Sequence, residues 1–506
     1  AAHLLEHPLD FYGFNVHWHV TWQPMHEINM NPPGLGYFLA LAGAIFGWNE
    51  LALHTVFLIP AIAAATGTAF LARQWNIPPL PAVFATVATP AFVVSGTTLM
   101  SDMLFLAVYV WAIALWVRGD DTGRMRWLIA AAVLASIGVL VKYLAITALP
   151  LMAMHTIVSS RKLPRLPWLL IPVAVLLAYH FLTLRLYGHS LVFGATGFAT
   201  GHGGASLSDS AMKTLVALAF LGGCFIGVAC FAPLTMRPRH ILLWLAVFLG
   251  VALLLFLIGR LDFRLIRLET GVRWSLLLQA ALMITAGLYL LWLPATQLAR
   301  RRDAPNLILA CWLIGTFVFC AFINWTINAR VLLAAAPAAG LLAARALAEA
   351  HQLRRVCQTR LAPANQSPLQ TGPAQLAIQT SSTENKTTNQ PNPQPLSINN
   401  NRCNRCYLST RCALALLAAL LALIPAWLDY RLAQAHRDAA HYIATQLKLD
   451  RATTRFQGHW GFQHYMMQAG YNPYDSQEGL KPGHQIVTMH NSPSVVPLPQ
   501  ELTTPT

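Results

Sequence analysis

The residues best suited to chemistry lie in polar interruptions of an otherwise apolar chain. Asp10-Phe11-Tyr12-Gly13-Phe14-Asn15 opens a stretch that also holds His17, His19, His26 and Glu27. In a water-filled cleft above a membrane, the Asp10 carboxylate could take a proton as general base. His17, His19 and Glu27 are of the types that hold a divalent metal or a hydroxylated ligand. The same aromatics and polar residues would also make an interfacial belt. Asn31-Pro32-Pro33-Gly34 ends this stretch: a proline restricts the residue before it and is tolerated in a helix's first turn, so the motif is a corner that aims Asn31 into the cleft.

Four further groups stand out. Asp102 follows Thr97 to Ser101 at the edge of an apolar run, where an ionisable residue marks function or caps a helix. Lys142-Tyr143 interrupts an apolar hairpin, so the ammonium must snorkel to a lipid phosphate or pair with Asp102. Arg260, Arg264 and Arg267 recur at helical spacing, with Arg273 following, which predicts an amphipathic helix presenting guanidinium groups to phosphate, the alternative being a local error in the assigned topology. Arg330 closes the polar stretch Asn324 to Ala329 and enters the next helix, placed to hold a phosphate bidentately or to anchor that helix at the interface.

The elements that must position these groups are membrane helices. Of 506 residues, 56% are hydrophobic and only 10% charged, which excludes an ordinary soluble domain. The net charge of +15 resides mainly in short loops, where it sets orientation, and no nucleic-acid footprint is present. The eight cysteines are scattered and imply no disulfide framework. Windows of membrane length place about twelve spans, near 51–72, 80–98, 103–117, 127–141, 143–158, 168–185, 212–232, 240–259, 274–293, 306–324, 328–346 and 413–428. Arg73, Arg118 with Arg124 and Arg126, Arg161 with Lys162 and Arg165, Arg237 with Arg239, Arg300 to Arg302, and Arg354 with Arg355 and Arg360 fall in alternate loops and are assigned to the cytoplasm. The arginine-rich 260–273 segment faces outward and breaks this bias. Leu35 to Phe46 is too short to cross about 30 Å of hydrocarbon and is read as an interfacial helix.

The chain divides into an outward loop with its interfacial helix (1–50), a membrane core (51–346), a disordered cytoplasmic linker (347–412), a last span (413–428) and an extracytoplasmic region (429–506). The linker's Gln, Asn, Thr, Ser and Pro cannot bury enough apolar surface to fold. Cys403 and Cys406 give only a weak zinc signal. In the last region, Arg431 to Leu449 predicts a helix and Gln485 to Met489 a strand. Because the chain starts outside, a preceding span is expected, thirteen in all.

Asn31-Pro32-Pro33 before Gly34 to Gly47, Asp102 after a span, Gly138 to Tyr143, and Ala329-Arg330 with Pro337 beyond together resemble the GT-C fold glycosyltransferases of family 39. This is the dolichyl-phosphate-mannose-protein mannosyltransferase and aminoarabinose transferase superfamily, and the likeness is to its bacterial members. The resemblance covers about 70% of the chain. It implies an all-α polytopic GT-C-like bundle with a small C-terminal appendage, in a bacterial inner membrane with its active site facing outside. It also implies inverting transfer of a hexose or pentose from a polyprenyl-phosphate donor to a lipid, glycan or protein hydroxyl. By the resemblance Asp102 matches the acidic residue after the early span and would be catalytic, as would Asp10; Lys142, Tyr143, Arg264, Arg267, Arg330 and Asn31 would bind substrate or its phosphate, and a divalent metal is the one cofactor in view. Two departures matter: Asn31 stands where the family usually has His or another polar residue. The family's acidic pair after the first span would lie before Ala1, so the principal base is expected upstream of this sequence, with Asp10 the local candidate to replace it. A lipid-linked substrate transporter would share the spans but should show internal repeats, and none is seen. An inactive relative would keep the same motifs.

Overall fold

The computed structural model describes residues 1–18, 20–200, 207–236, 238–258, 267–268, 271–361, 398–489 and 495–496. Eight of its helices are long and apolar enough to cross a membrane: Glu50–Gln74, Ser101–Thr122, Leu163–Tyr187, Arg239–Leu257, Trp274–Arg300, Ala304–Ile323, Ala329–Leu353 and Ser409–Leu447. A ninth is broken, Pro79–Val87 and Pro90–Thr97 meeting at 69°. Pro90 can neither donate to the preceding turn nor fit against it, and Thr89 before it is extended. The remaining apolar segments form shorter helices at Gly34–Phe46, Met125–Val141, Tyr143–Ser159 and Ser210–Cys224. The chain is thus an all-α polytopic integral membrane protein.

Burial sorts these helices. Ala329–Leu353 and Ser101–Thr122 are 89% and 78% buried over their apolar windows, whereas Arg239–Leu257 and Ser409–Leu447 are each 11% buried. The first two are the axis of the bundle and the last two its lipid-facing wall. Between helices in hydrocarbon, close approach and internal hydrogen bonding replace the hydrophobic drive. Gly222 and Gly287 let Leu207–Cys224 and Trp274–Arg300 touch backbone to backbone: a Cβ on Gly222 would lie 1.8 Å from the Met283 carbonyl oxygen, and one on Gly287 2.2 Å from that of Leu218. Two indoles find acceptors on neighbouring helices, Trp111 on the Ala63 carbonyl at 2.8 Å and Trp312 on that of Ala334 at 2.7 Å.

Polar side chains cap several helices, among them the one that carries Arg330. Asn49 accepts from the Ala52 amide at 2.8 Å, Asp303 from Asn306 at 2.9 Å and Asn328 from Val331 at 2.9 Å, satisfying amides that have no partner in a first turn. Gly123, left-handed at φ 72°, turns Ser101–Thr122 back into Met125–Val141. This hairpin fixes Asp102 and Lys142 at the same end of the bundle.

Several boundaries differ from those the sequence suggests. Helix continues to Leu361 and resumes at Ile398, so both ends of the expected 347–412 linker are helical; its middle lies outside the described residues. The separate helix expected over 431–449 is a continuation of the last span, which runs unbroken from Ile398 to Tyr442. Arg267 lies in a two-residue strand, Arg267–Leu268, paired with Gly271–Val272, where an amphipathic helix was expected. Arg260 and Arg264 lie outside the described residues.

Two small β elements complete the fold. Asn15–Trp18 and Thr21–Pro24 form an antiparallel hairpin. Beyond the last span, Thr454–Gln457 is the middle strand of a three-stranded parallel sheet, flanked by Asn472–Pro473 and Gln485–Thr488, so the strand expected at 485–489 is present. Phe456, Phe462, Met466 and Tyr471 form its core with Trp460–Gln468. The C-terminal unit rests on the N-terminal hairpin: the Ser476 amide donates to the Val20 carbonyl at 2.8 Å and Trp18 stacks on His459 at 4.7 Å.

Candidate functional site

The site is built on the corner between the N-terminal loop and the helix Gly34–Phe46. Pro32 and Pro33 are buried, and Gly34 lies so close to the end of Met125–Val141 that a Cβ there would be 2.6 Å from the Leu140 carbonyl oxygen. Two tyrosines hold the loop leading into this corner. The Tyr143 hydroxyl donates to the Met30 carbonyl and that of Tyr12 to the Asn31 carbonyl, both at 2.8 Å. Burial pushes the Tyr12 phenol well above its ordinary pKa, so it stays a donor. The Asn31 side chain is exposed and bonds to Asn29 at 2.9 Å.

Beside this corner is a charged cluster inside an apolar bundle. Asp102 is only 1% exposed, and both its oxygens are taken: Lys142 Nζ donates to Oδ1 at 2.5 Å and Arg330 Nε to Oδ2 at 2.7 Å. One carboxylate between two cations leaves a net charge of about +1 by formal counting. Lys142 is 16% exposed, its ammonium 5.7 Å from the Phe105 ring centroid. Arg330 is 48% exposed. Its Nε is committed, and its two terminal nitrogens make no hydrogen bond among the described residues, so they remain two parallel donors at the protein surface.

A second carboxylate stands on the other side of the corner. Asp10 Oδ1 accepts from the Tyr187 hydroxyl at 3.0 Å, and that hydroxyl in turn accepts from the Tyr12 amide at 2.9 Å. The carboxylate lies directly over Gly13, where any Cβ would collide with it. His26 stacks on Tyr187, centroids 4.8 Å apart and planes 11° from parallel, and His189 meets His26 at 5.2 Å. Unlike Asp102, Asp10 is only half-buried and pairs with no cation among the described residues.

The structure thus brings together Asp102, Lys142 and Arg330, and ties Asp10, Asn31 and Tyr143 to one corner through Tyr12 and Tyr187. His17 is buried and hydrogen-bonded through Nε2 to the Tyr474 carbonyl at 3.0 Å, with burial pushing its pKa down. Glu27 is exposed on the short helix Met25–Ile28, and His19 lies outside the described residues. No three His, Cys, Asp or Glu side chains among the described residues converge where an ion could sit. His17 serves the docking of the C-terminal unit. Tyr12 stands in the Asp10 to Asn15 motif without a role of its own, and nothing in the sequence singles out Tyr187 and His189, because single aromatic and imidazole side chains in apolar surroundings look like core.

Fold and site define a class: a helical integral membrane protein with a cationic cluster and a carboxylate at one end of its bundle. Residues 30–186 match the model of the dolichyl-phosphate-mannose-protein mannosyltransferase family, so the likeness to that family rests on this segment of the chain. The matched segment contains Asn31, Asp102, Lys142 and Tyr143; Asp10 and Arg330 lie outside it. A comparison with curated proteins gives no match. Among solved structures, the chain is similar to ArnT from Cupriavidus metallidurans bound to undecaprenyl phosphate, at 15% identity and a TM-score of 0.47, covering 96% of this chain and 84% of that one. It is also similar to the oligosaccharyltransferase AglB from Archaeoglobus fulgidus in complex with an inhibitory peptide and a dolichol-phosphate. There the identity is 15% and the TM-score 0.43, over 93% of this chain. The chain spans 58% of the length of AglB.

Proposed function

We propose that the protein is an inverting membrane glycosyltransferase that moves a hexose or pentose from a polyprenyl-phosphate donor to an acceptor hydroxyl on a lipid, glycan or protein. The reaction takes place at the bundle end that carries the N-terminal loop, facing out of a bacterial inner membrane. The observation that carries this reading is the Asp102 cluster, in which residues 228 positions apart hold one guanidinium half-free at the membrane edge.

Each group has a role that follows from its surroundings. Asp102, with both oxygens engaged, is a positioning residue that fixes Lys142 and Arg330. The terminal nitrogens of Arg330 match two oxygens of a phosphate, and Lys142 adds a point charge. As the acceptor oxygen attacks the anomeric carbon from the opposite face, the bond from that carbon to the phosphate oxygen breaks. Its electron pair leaves with the phosphate, where the two cations meet the growing charge. Asp10, oriented by Tyr187, takes the acceptor's proton. Asn31 offers an exposed amide to a sugar hydroxyl at the corner. Among the described residues, Lys142 and Arg330 are the groups that meet the phosphate charge.

The test uses the full chain in lipid nanodiscs with radiolabelled polyprenyl-phosphate hexoses and pentoses, following label into lipids, glycans and proteins. Arg330→Ala should lower transfer about 100- to 1,000-fold, the scale of losing one charge-stabilising donor. Arg330→Lys should recover only part of it, because an ammonium cannot bond Asp102 and fork a phosphate together. Wild-type rates in Arg330→Ala would overturn the proposal.

A further inference from the structure

A separate cavity of about 590 Å³ opens at the far end of the helix Gly34–Phe46, between the start of Glu50–Gln74 and the C-terminal unit. We propose that it is a second saccharide site, which holds a sugar unit of a glycan remote from the reacting centre. The inference rests on the glycosyltransferase reading only for the identity of that glycan as an acceptor.

The lining has the chemistry of a sugar site. Trp48 and Tyr465 supply two ring faces, and Glu50, Arg437, His441 and His464 supply planar acceptors and donors of the kind that bond vicinal hydroxyls. These groups are set in place beforehand. Arg437 bonds both Glu50 and Tyr465, the latter at 3.1 Å, with its guanidinium 5.2 Å from the Tyr465 ring centroid, and the Tyr465 hydroxyl also donates to Glu50. Trp48 is 49% exposed yet fixed, because its indole lies against Gly43, where a Cβ would come within 2.5 Å of the ring. A ring held this way loses little freedom when a ligand stacks on it.

Charge selects among ligand classes. One carboxylate balanced by one guanidinium, with two imidazoles, leaves the lining near neutral, which suits an uncharged saccharide better than a phosphate or a cation. Size fits as well, since cavities of a few hundred Å³ hold small organic ligands. The thirteen residues of Gly34–Phe46 put the cavity about 20 Å along the helix axis from the Gly34 corner, so it is distinct from the Asp102 cluster. Leu51, next to Glu50 at the start of the span Glu50–Gln74, is 79% exposed. A glycan carried on a lipid could therefore rest its chain there, while a free or protein-linked glycan would use the cavity alone.

The full chain in nanodiscs is applied, without donor, to an array of neutral hexose, pentose and N-acetylhexosamine oligosaccharides, each presented free and on a lipid tail. Wild type and Arg330→Ala should bind at least one class alike. Trp48→Ala and the milder Glu50→Gln should each bind at least tenfold more weakly with unchanged elution in gel filtration. Glu50→Gln alters no packing, which covers the case of Trp48→Ala failing to fold. Binding only of tailed glycans assigns a lipid-borne source, and equal binding of free ones a soluble or protein-linked source. No binding to any class, or equal binding by wild type and Glu50→Gln, overturns the site. Because no transfer is measured, a silent array leaves the Arg330 result untouched, and array binding with an active Arg330→Ala leaves this site standing without the proposed reaction.

Discussion

Replacing Asp102 by Asn separates an anchor from a base. In the wild type one carboxylate, 1% exposed, binds Lys142 at 2.5 Å and Arg330 at 2.7 Å. Removing one partner of a buried ion pair costs about 3–5 kcal/mol, since the other charge is left without compensation. Two features reduce that here. Arg330 is 48% exposed and can turn to water, so its share falls to about 0–1 kcal/mol; and Asn keeps one acceptor oxygen for Lys142. The expected loss is therefore about 2–3 kcal/mol of stability, a 30- to 150-fold shift in the unfolding equilibrium at about 1.4 kcal/mol per decade. Unfolding in nanodiscs, followed by denaturant titration, measures it. Transfer should fall together with stability, because Arg330 loses its fixed geometry. The double variant Asp102→Asn with Lys142→Gln should be less destabilised than the sum of the singles, since the orphaned ammonium is gone. Undiminished stability in Asp102→Asn, with transfer falling by more than about 1,000-fold, would refute the reasoning and make Asp102 the proton acceptor.

Other expectations follow from single contacts. Gly34→Ala must push a methyl against the Leu140 carbonyl, 2.6 Å from the new Cβ, and should cost about 1–3 kcal/mol with reduced transfer, read by thermal unfolding and by the label assay. Tyr187→Phe removes the donor to Asp10 and the acceptor of the Tyr12 amide. It should lower kcat about tenfold and stability by about 1–2 kcal/mol, and unchanged values for both would free Asp10 from that positioning. Docking of the C-terminal unit should depend on pH through His17, whose folded pKa is depressed by burial. The imidazole is neutral in both states above about pH 6.5. As pH falls below that value the unfolded form protonates first, so docking weakens on acidification and is complete above it. Asp475 opposes the shift and His459 adds to it. Hydrogen exchange of residues 454–476 at about pH 7.5 and 5.5 should show the loss, and His17→Gln should flatten it.

Eight of the twelve expected spans were legible because about twenty apolar residues have few alternatives to a helix in lipid, whereas those expected near 127–141, 143–158 and 212–232 are shorter apolar helices and 80–98 is a bent pair. The Asn31 to Gly34 corner was legible because proline restricts its neighbours. Other features left weaker signals. Pro90 marked the break between Pro79–Val87 and Pro90–Thr97, but hydropathy averaged over 80–98 runs straight through it. The hairpin Asn15–Trp18 and Thr21–Pro24 reverses at Val20, which takes φ 62°. A β-branched residue is poorly suited to that conformation and carries no turn signal. Asp102 and Lys142 could be suspected of pairing, since a single hairpin joins their helices. No spacing rule points from either to Arg330, because that contact depends on how distant helices pack.

The contact between the two ends of the chain sets an order of assembly. The His17 ring is completed by the Tyr474 carbonyl, 457 residues later. At about 5–20 residues per second, a ribosome needs roughly half a minute to a minute and a half to supply that partner. Through this interval the hairpin Asn15–Trp18 and Thr21–Pro24 waits uncovered while the bundle beneath it inserts span by span. The hairpin that follows Asp10 is therefore covered last, whereas Asp10 itself is already held by Tyr187 of the bundle.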